Sequence, residues 1–347
     1  LLMALCMMVS LAACGGQEQT TDEGGAESDN GGYKIAFSNS YVGNAWRTAA
    51  VNIFDAYTAD LVEQGVLSKA YSSSAGDDVQ AQINEIRNMM SEGYDAIVCI
   101  AASATGLQSV LEEAAERGIV VVCFDTTVDS DLVYNVNTDQ FEYGRLLAQS
   151  LADRMGGEGN ILWIKGIEGN QVTLDRTEGM QSVLDNYPGI NVLGDGYGKW
   201  DDSTTASVMS NLMSAYASQG IDGILSEGGG GHAIVQSLVE NGIDPATVPI
   251  SEGEMFNSFM KDWVEMDLDA FCTAQPPYLA AAAVDVALKV LNGEEVEPMT
   301  YVDLPTCSSK EEAEEKWYQP DQEGGFVCDW TDNNNTWNLT IEDVAPN

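Results

Sequence analysis

Residues 117–129 read RGIVVVCFDTTVD, and the character of this short run sets the fold class. Four of the five residues from Ile119 to Cys123 are β-branched and the fifth is a cysteine, so the run favours a strand buried on both faces. Gly118, just before it, suits the end of a helix. The strand then delivers a carboxylate, Asp125, at its tip. In open parallel sheets ligands bind beyond the carboxyl ends of the strands, so Asp125 is a candidate ligand contact. The alternative is that it caps a turn or a helix start.

The same unit recurs in both directions. Upstream, KIAFS (34–38), KAYSS (69–73) and YDAIVCI (94–100) read as strands. They are separated by helices, one carrying Val79, Ile83, Ile86 and Met90 on one face, the next Leu107, Val110, Leu111 and Ala114. Downstream, the rhythm restarts with NILWIKG (160–166), INVLGDG (190–196), IDGILSE (221–227) and VPISE (248–252), again with helices between. GYDAI (93–97) and GIDGI (220–224) fall at matching places in the two series. Continuous apolar strands alternating with amphipathic helices predict α/β architecture: two Rossmann-like lobes, each a parallel sheet covered on both faces. Glu252, closing VPISE, is expected to face Asp125 across the gap between the lobes.

The chain has 347 residues, more than one core usually serves, and a formal charge of −41 from 55 acidic and 14 basic residues. That balance argues against nucleic acid and against anionic membrane surfaces as partners. The first residues, LLMALCMMVSLAACGG, form an apolar run of leader length without an initiator methionine. Residues 1–14 are therefore expected to be a signal peptide truncated at its start. Residues 15–32 are expected to be a flexible acidic linker with no large apolar side chain. Of the seven cysteines, Cys99, Cys123 and Cys272 lie in apolar runs and read as core residues. Cys307 and Cys328 flank a polar tail, where pairing and remaining free are both open. The single histidine, His232, and the lack of any Cys/His cluster leave no metal site to expect. SEGGGGHA (226–233) lacks the Lys-Ser/Thr of a phosphate loop, and DWTDNNNTW (329–337) lacks the Gly and terminal Glu of a calcium loop. No nucleophile stands with a base and an orienter, so neither chemistry nor a cofactor is expected.

Several stretches together resemble one family. YKIAFSNSYVGNAW (33–46), GYDAIVCIAASATGLQSVLEEAAERGIVVVCFDT (93–126), NVNTDQFEYGRLLAQSLA (135–152), IKGIEGNQVTLDRTEGM (164–180) and CTAQPPYLAAAAVDVALKVLNGEEV (272–296) follow its order and spacing. The chain is similar, from about Tyr33 to Leu304, to the ribose/galactose-type periplasmic substrate-binding proteins of bacterial ABC sugar importers, whose lobes also occur in LacI-like repressors. The leader in place of a helix-turn-helix favours the binding protein. LAAC (11–14) resembles a lipobox, which implies lipidation at Cys14 and an extracytoplasmic protein anchored to the bacterial cell membrane by lipid alone.

The resemblance implies a type I periplasmic binding protein with a three-segment hinge near 137–138, 275–276 and 301–303. The N-terminal lobe would be 33–137 plus 276–302, and the C-terminal lobe 138–275 plus 303–347 with an extra tail. SSKEEAEEKW (308–317) in that tail reads as a short helix and NTWNLTI (335–341) as a strand, both packing on the C-terminal lobe. The implied ligand site comprises Asn44, Trp46, Arg47 and Asp125 from the first lobe, Asn170, Arg176, Trp200 and Glu252 from the second, and Gln275 at the hinge. Trp46 and Trp200 would wall a sugar ring, each sitting in a polar loop segment; the alternative is a place in the core. Thr126 stands where the family often has Arg, and Ala101 and Gly228 where it has polar residues, which widens the ligand to a modified, acidic or larger sugar or another small polar metabolite. The implied partners are a small sugar-like molecule and an ABC permease with its ATPase, and the protein is expected to be a monomer. Two other readings use the same cleft: a ligand-sensing partner of a membrane receptor, and a glycosidase with Asp125 and Glu252 as its carboxylate pair.

Overall fold

A computed structural model describes residues 31–345, so the leader, Cys14 and most of the acidic linker lie outside the described residues. The first series of elements is β1 (Tyr33–Asn39), α1 (Ala45–Glu63), β2 (Leu67–Ser74), α2 (Val79–Glu92), β3 (Ala96–Ile100), α3 (Ala104–Glu116), β4 (Val120–Phe124) and β5 (Tyr134–Asn137). The second is α4 (Gln140–Arg154), β6 (Glu158–Lys165), α5 (Gln171–Leu184), β7 (Gly189–Tyr197), α6 (Asp202–Tyr216), β8 (Gly223–Ser226), α7 (Gly231–Glu240), β9 (Ile250–Gly253), α8 (Asn257–Met266) and β10 (Ala270–Thr273). The chain then returns through α9 (Leu279–Leu291), β11 (Met299–Tyr301) and β12 (Thr306–Cys307), and ends in a tail with α10 (Lys310–Glu312) and α11 (Ile341–Val344).

These strands make two six-stranded sheets with orders β11-β5-β4-β3-β1-β2 and β12-β10-β9-β8-β6-β7. Every pairing is parallel except β12 on β10. The fold class is therefore the one the alternating pattern predicts: two α/β lobes with doubly covered, mostly parallel sheets. The run 120–124 is buried along its length apart from Val120, as its composition requires. Phe124 packs 5.4 Å from Phe37, which lies 5.1 Å from Phe54 on α1. The chain passes between lobes after Asn137, between Thr273 and Leu279, and between Tyr301 and Thr306, because each of those strands belongs to one sheet and the next element packs on the other.

Backbone contact between α4 and α5 fixes the floor of the second lobe. A Cβ on Gly144 would lie 2.0 Å from the Arg176 carbonyl oxygen, and one on Gly179 would lie 2.0 Å from that of Phe141. Alanine normally stabilises a helix interior relative to glycine by about 1 kcal/mol. Gly144→Ala is expected to do the opposite, destabilising by about 1–3 kcal/mol by forcing α5 away. Chemical denaturation of the variant measures the sign.

The tail departs from expectation in two respects. NTWNLTI forms turns leading into α11 and contains no strand. The tail also does not stay on the second lobe: residues near 319–328 pack on α8, whereas Trp337 and Val344 reach α9 and α1 of the first lobe. The reason is that Trp337, Leu339 and Val344 find their apolar burial there. Cys99, Cys123, Cys272, Cys307 and Cys328 are all buried free thiols. Among the described residues no helix is long and apolar enough to cross a membrane.

Candidate functional site

Asp125 and Glu254 are the first residues past β4 and β9, and both adopt left-handed backbone, with φ of 61° and 70°. A non-glycine residue in that region costs energy and clusters at functional positions. The Asn137 side-chain amide donates to the Asp125 carbonyl at 3.0 Å and holds the turn.

Around Asp125 the first lobe is pre-assembled. Arg47, on the first turn of α1, pairs with its carboxylate at 2.8 Å and also donates to Asn39 Oδ1 and Ser40 Oγ at 3.3 and 3.1 Å. An arginine thus meets Asp125 although residue 126 is threonine; it comes from α1 instead. Trp46, one residue earlier, is almost fully buried and donates its indole N–H to the Gln275 carbonyl oxygen at 2.6 Å. It belongs to the core cluster and ties α1 to the crossing segment.

In the second lobe Arg176 is 2% exposed. Its guanidinium lies 3.6 Å over the Tyr143 ring and donates to Gln140 Oε1 at 2.8 Å, the Glu227 carbonyl at 2.8 Å, Gln275 Oε1 at 3.3 Å and Glu254 Oε1 at 3.5 Å. The planar fork of arginine serves several fixed acceptors at once. Trp200 lies 5.8 Å from the same guanidinium, with φ of 56° and its ring against Gly166.

Gln275 joins the two halves. Its Nε2 donates to Asp125 Oδ1 at 2.5 Å, while its Oε1 accepts from Arg176 and from Gln140. One amide thus reaches the first lobe with its donor and the second with its acceptor.

Glu252 does not face Asp125. It is 1% exposed, and its carboxylate turns into the second lobe, beside Ser226 and accepting from the Gly230 N–H at 3.2 Å. The Gly-rich turn 228–231 closes over it. Gly228 has φ of 120°, and a Cβ there would meet the Gly253 carbonyl oxygen at 2.6 Å, which explains why no Asn or Asp stands at this position. The carboxylate that meets the network is Glu254, two residues on; the nearby Asp125 helps raise its pKa, and its Oε1 accepts from the Tyr143 hydroxyl at 3.2 Å. Asn44 and Asn170 are exposed and spend their side-chain oxygens capping α1 and α5, on the N–H groups of Arg47 and Val172. Arg47, Asp125, Arg176 and Gln275 are thus brought together, Trp46 and Trp200 flank them, and Asn44, Asn170 and Glu252 stand apart.

Sequence reasoning missed Glu254, Tyr143, Gln140 and Glu227. The signal for Glu254 was its place one residue beyond VPISEG; for Tyr143 and Gln140 it was their spacing, i and i+3, on the first turn of α4. Burial raises the pKa of all three glutamates. Glu227 is pushed to about 7 although Gly166 N–H, Thr177 hydroxyl and the nearby Arg176 work against it. Glu252 is pushed to about 8, and Glu254 is raised despite Arg176. Among the described residues no group of three or more metal-ligating side chains converges.

The profile described as a periplasmic binding protein domain matches residues 35–295. The xylitol-binding protein of Mycolicibacterium smegmatis is 31% identical over 172 residues, 49% of this chain and 49% of that protein. The multiple sugar-binding periplasmic receptor ChvE of Rhizobium radiobacter is 30% identical over 168 residues, 43% of this chain and 48% of its own length. The chain thus spans about half the length of these curated relatives. Among solved structures, an ABC transporter solute binding protein from Thermobispora bispora superposes with a TM-score of 0.75 at 20% identity, covering 89% of this chain and 95% of that one.

Proposed function

The chain belongs to the periplasmic binding protein family, and on that premise we propose that it is an extracytoplasmic solute-binding protein that captures a small uncharged polyhydroxylated ligand between its lobes. A monosaccharide or sugar alcohol is the ligand class. The observation that carries the reading is the unbroken hydrogen-bond path from Asp125 through Gln275 to Arg176, which a guest with several hydroxyls can enter from both lobes. Each guanidinium is matched by a carboxylate, Arg47 by Asp125 and Arg176 by Glu254, so the cluster holds no surplus cation for a sugar acid. A hydroxyl both donates and accepts and can enter such a network without stranding a charge. The descriptions of the two relatives, one naming xylitol and the other multiple sugars, support the class.

In this reading closure and binding are one free energy, since the ligand contacts both lobes only when they are together. The closed protein presents its cargo to an ABC permease and its ATPase. LAAC (11–14) supports lipid anchoring at Cys14. Binding without chemistry is the reading the relatives support, and Glu252, turned into the second lobe onto the Gly230 N–H, does not stand as a hydrolytic partner to Asp125.

A thermal-shift screen of the protein against pentoses, hexoses, sugar alcohols, sugar acids and nucleosides tests this. Stabilisation by uncharged sugars or polyols is expected, rising with concentration by mass action, and Glu254→Gln should weaken it. Stabilisation by sugar acids alone would contradict the neutral cleft, and a flat response to every class would sink the reading.

A further inference from the structure

The tail contributes a fourth link between the lobes, built differently from the three crossing segments. At its near end it grips the second lobe through one buried side chain. Asn257, opening α8, donates from Nδ2 to the carbonyls of Gln319 and Gln322 at 2.8 and 3.0 Å and accepts from the Gln319 N–H at 2.9 Å. The backbones of Asn257, Ser258 and Met255 add bonds with Phe326, Gly324 and Cys328 at 2.8–2.9 Å. At its far end the tail grips the first lobe. Trp337 packs 5.0 Å from the Tyr278 ring and donates to Asp285 Oδ2 at 2.8 Å, while Tyr57 holds Asp285 Oδ1 at 2.5 Å. Val344 is buried, and its carbonyl accepts from Asn52 of α1 at 3.2 Å.

The span between these grips is not slack. Asp329 is fully buried. Asp332 accepts from the Thr336 N–H at 2.7 Å and from its hydroxyl at 2.6 Å, and Asn335 bonds Leu339 through both ends of its amide at 2.9 Å. A chain of local turns fixes the distance between the two grips. The tail also covers the helix that carries Arg47: a cavity of about 130 Å³ lies between Ala45 and Ala49 on α1 and Phe326, Val327 and Val344 of the tail.

We propose that residues 319–345 form an intramolecular strap that resists lobe opening and so sets the fraction of protein held ready to bind. Hinge opening separates the surfaces of α8 and α1/α9 that the strap joins, so the lobes part only when Trp337 leaves Tyr278 and Asp285 or when the turns break. Apparent affinity scales with the population of the competent state, so the strap raises it without touching ligand. The consequence for affinity rests on the binding function proposed above; the mechanical claim does not.

The test therefore uses the full-length protein without sugar. Small-angle scattering of Trp337→Ala should show a radius of gyration larger by about 1 Å on the roughly 20 Å expected of a compact chain of this size. Amides of Asp125, Glu227 and Gln275, which belong to the network joining the lobes, should exchange faster. Asp285→Asn keeps side-chain volume and weakens the same grip; it should shift both readouts the same way by less, and it replaces Trp337→Ala if that variant fails to fold. A radius and an exchange pattern equal to wild type in the folded variants would overturn the strap. A failed sugar screen would leave this result standing.

Discussion

Arg176→Met abolishes sugar-induced stabilisation and lowers the melting temperature even without sugar; that is the expected result, and the two effects have different causes. Arg176 is buried and serves Gln140, Glu227, Gln275 and Glu254. Methionine fills much of the volume over Tyr143 but leaves those acceptors unserved and Glu254 without its counter-charge. Removing one member of a buried ionic network costs about 3–5 kcal/mol because the remaining charge is stranded. On a chain of this size that corresponds to roughly 5–10 °C in melting temperature. Ligand affinity falls further, by about 30-fold or more, because the fork that organises Gln275 is gone. Arg176→Lys separates the contributions: the charge remains, but a point ammonium cannot serve acceptors on several sides at once. Calorimetric titration with whichever sugar stabilises wild type reads the affinity. Wild-type affinity in the methionine variant would remove Arg176 from the site.

Glu252→Gln has the second large effect, and it appears in pH dependence rather than in binding. Burial raises the Glu252 pKa from 4.5 to about 8. A carboxyl whose folded pKa lies above its unfolded value binds its proton more tightly when folded. Its contribution to stability is therefore complete below about pH 4.5 and is lost as pH rises through about 8. Glutamine keeps the neutral shape and cannot ionise. Denaturation at pH 5, 7 and 9 should find the two proteins alike at pH 5, with the variant more stable at pH 9 by an amount on the order of a few kcal/mol. Glu227, pushed to about 7, remains in the variant and leaves a smaller slope of the same sign. Parallel curves for variant and wild type would mean that Glu252 is ionised in the fold at neutral pH.

Both predictions concern buried ionisable groups in one lobe, and they show where local reading stops. VPISE ends on Glu252, and strand periodicity alone cannot say whether that side chain meets the gap or the Gly-rich turn. The answer depends on Gly228 and Gly253 packing backbone to backbone, which carries no hydrophobic signature. Asn44 and Asn170 are similar: each precedes a helix, and a cap and a ligand contact call for the same residue type. Asp125 was legible from its place at a strand tip, whereas Arg47, Arg176 and Gln275 were named only through the family resemblance, which places them beside it. The tail was legible as an addition but not as a bridge, since its far grip joins Asn52 to Val344 across 292 positions of sequence.

The amino-acid sequence by itself determined the alternation of strands and helices, and with it two parallel sheets in two lobes, because periods of two and of 3.6 residues are written in neighbouring side chains. It also determined that Asp125 stands at a strand tip. Only the tertiary structure decided that Glu254 rather than Glu252 meets Arg176, that Arg47 rather than residue 126 meets Asp125, and that the tail spans both lobes. Each of these depends on which distant surfaces bury one another and on a few left-handed backbone turns, and neither leaves a periodic trace in the chain.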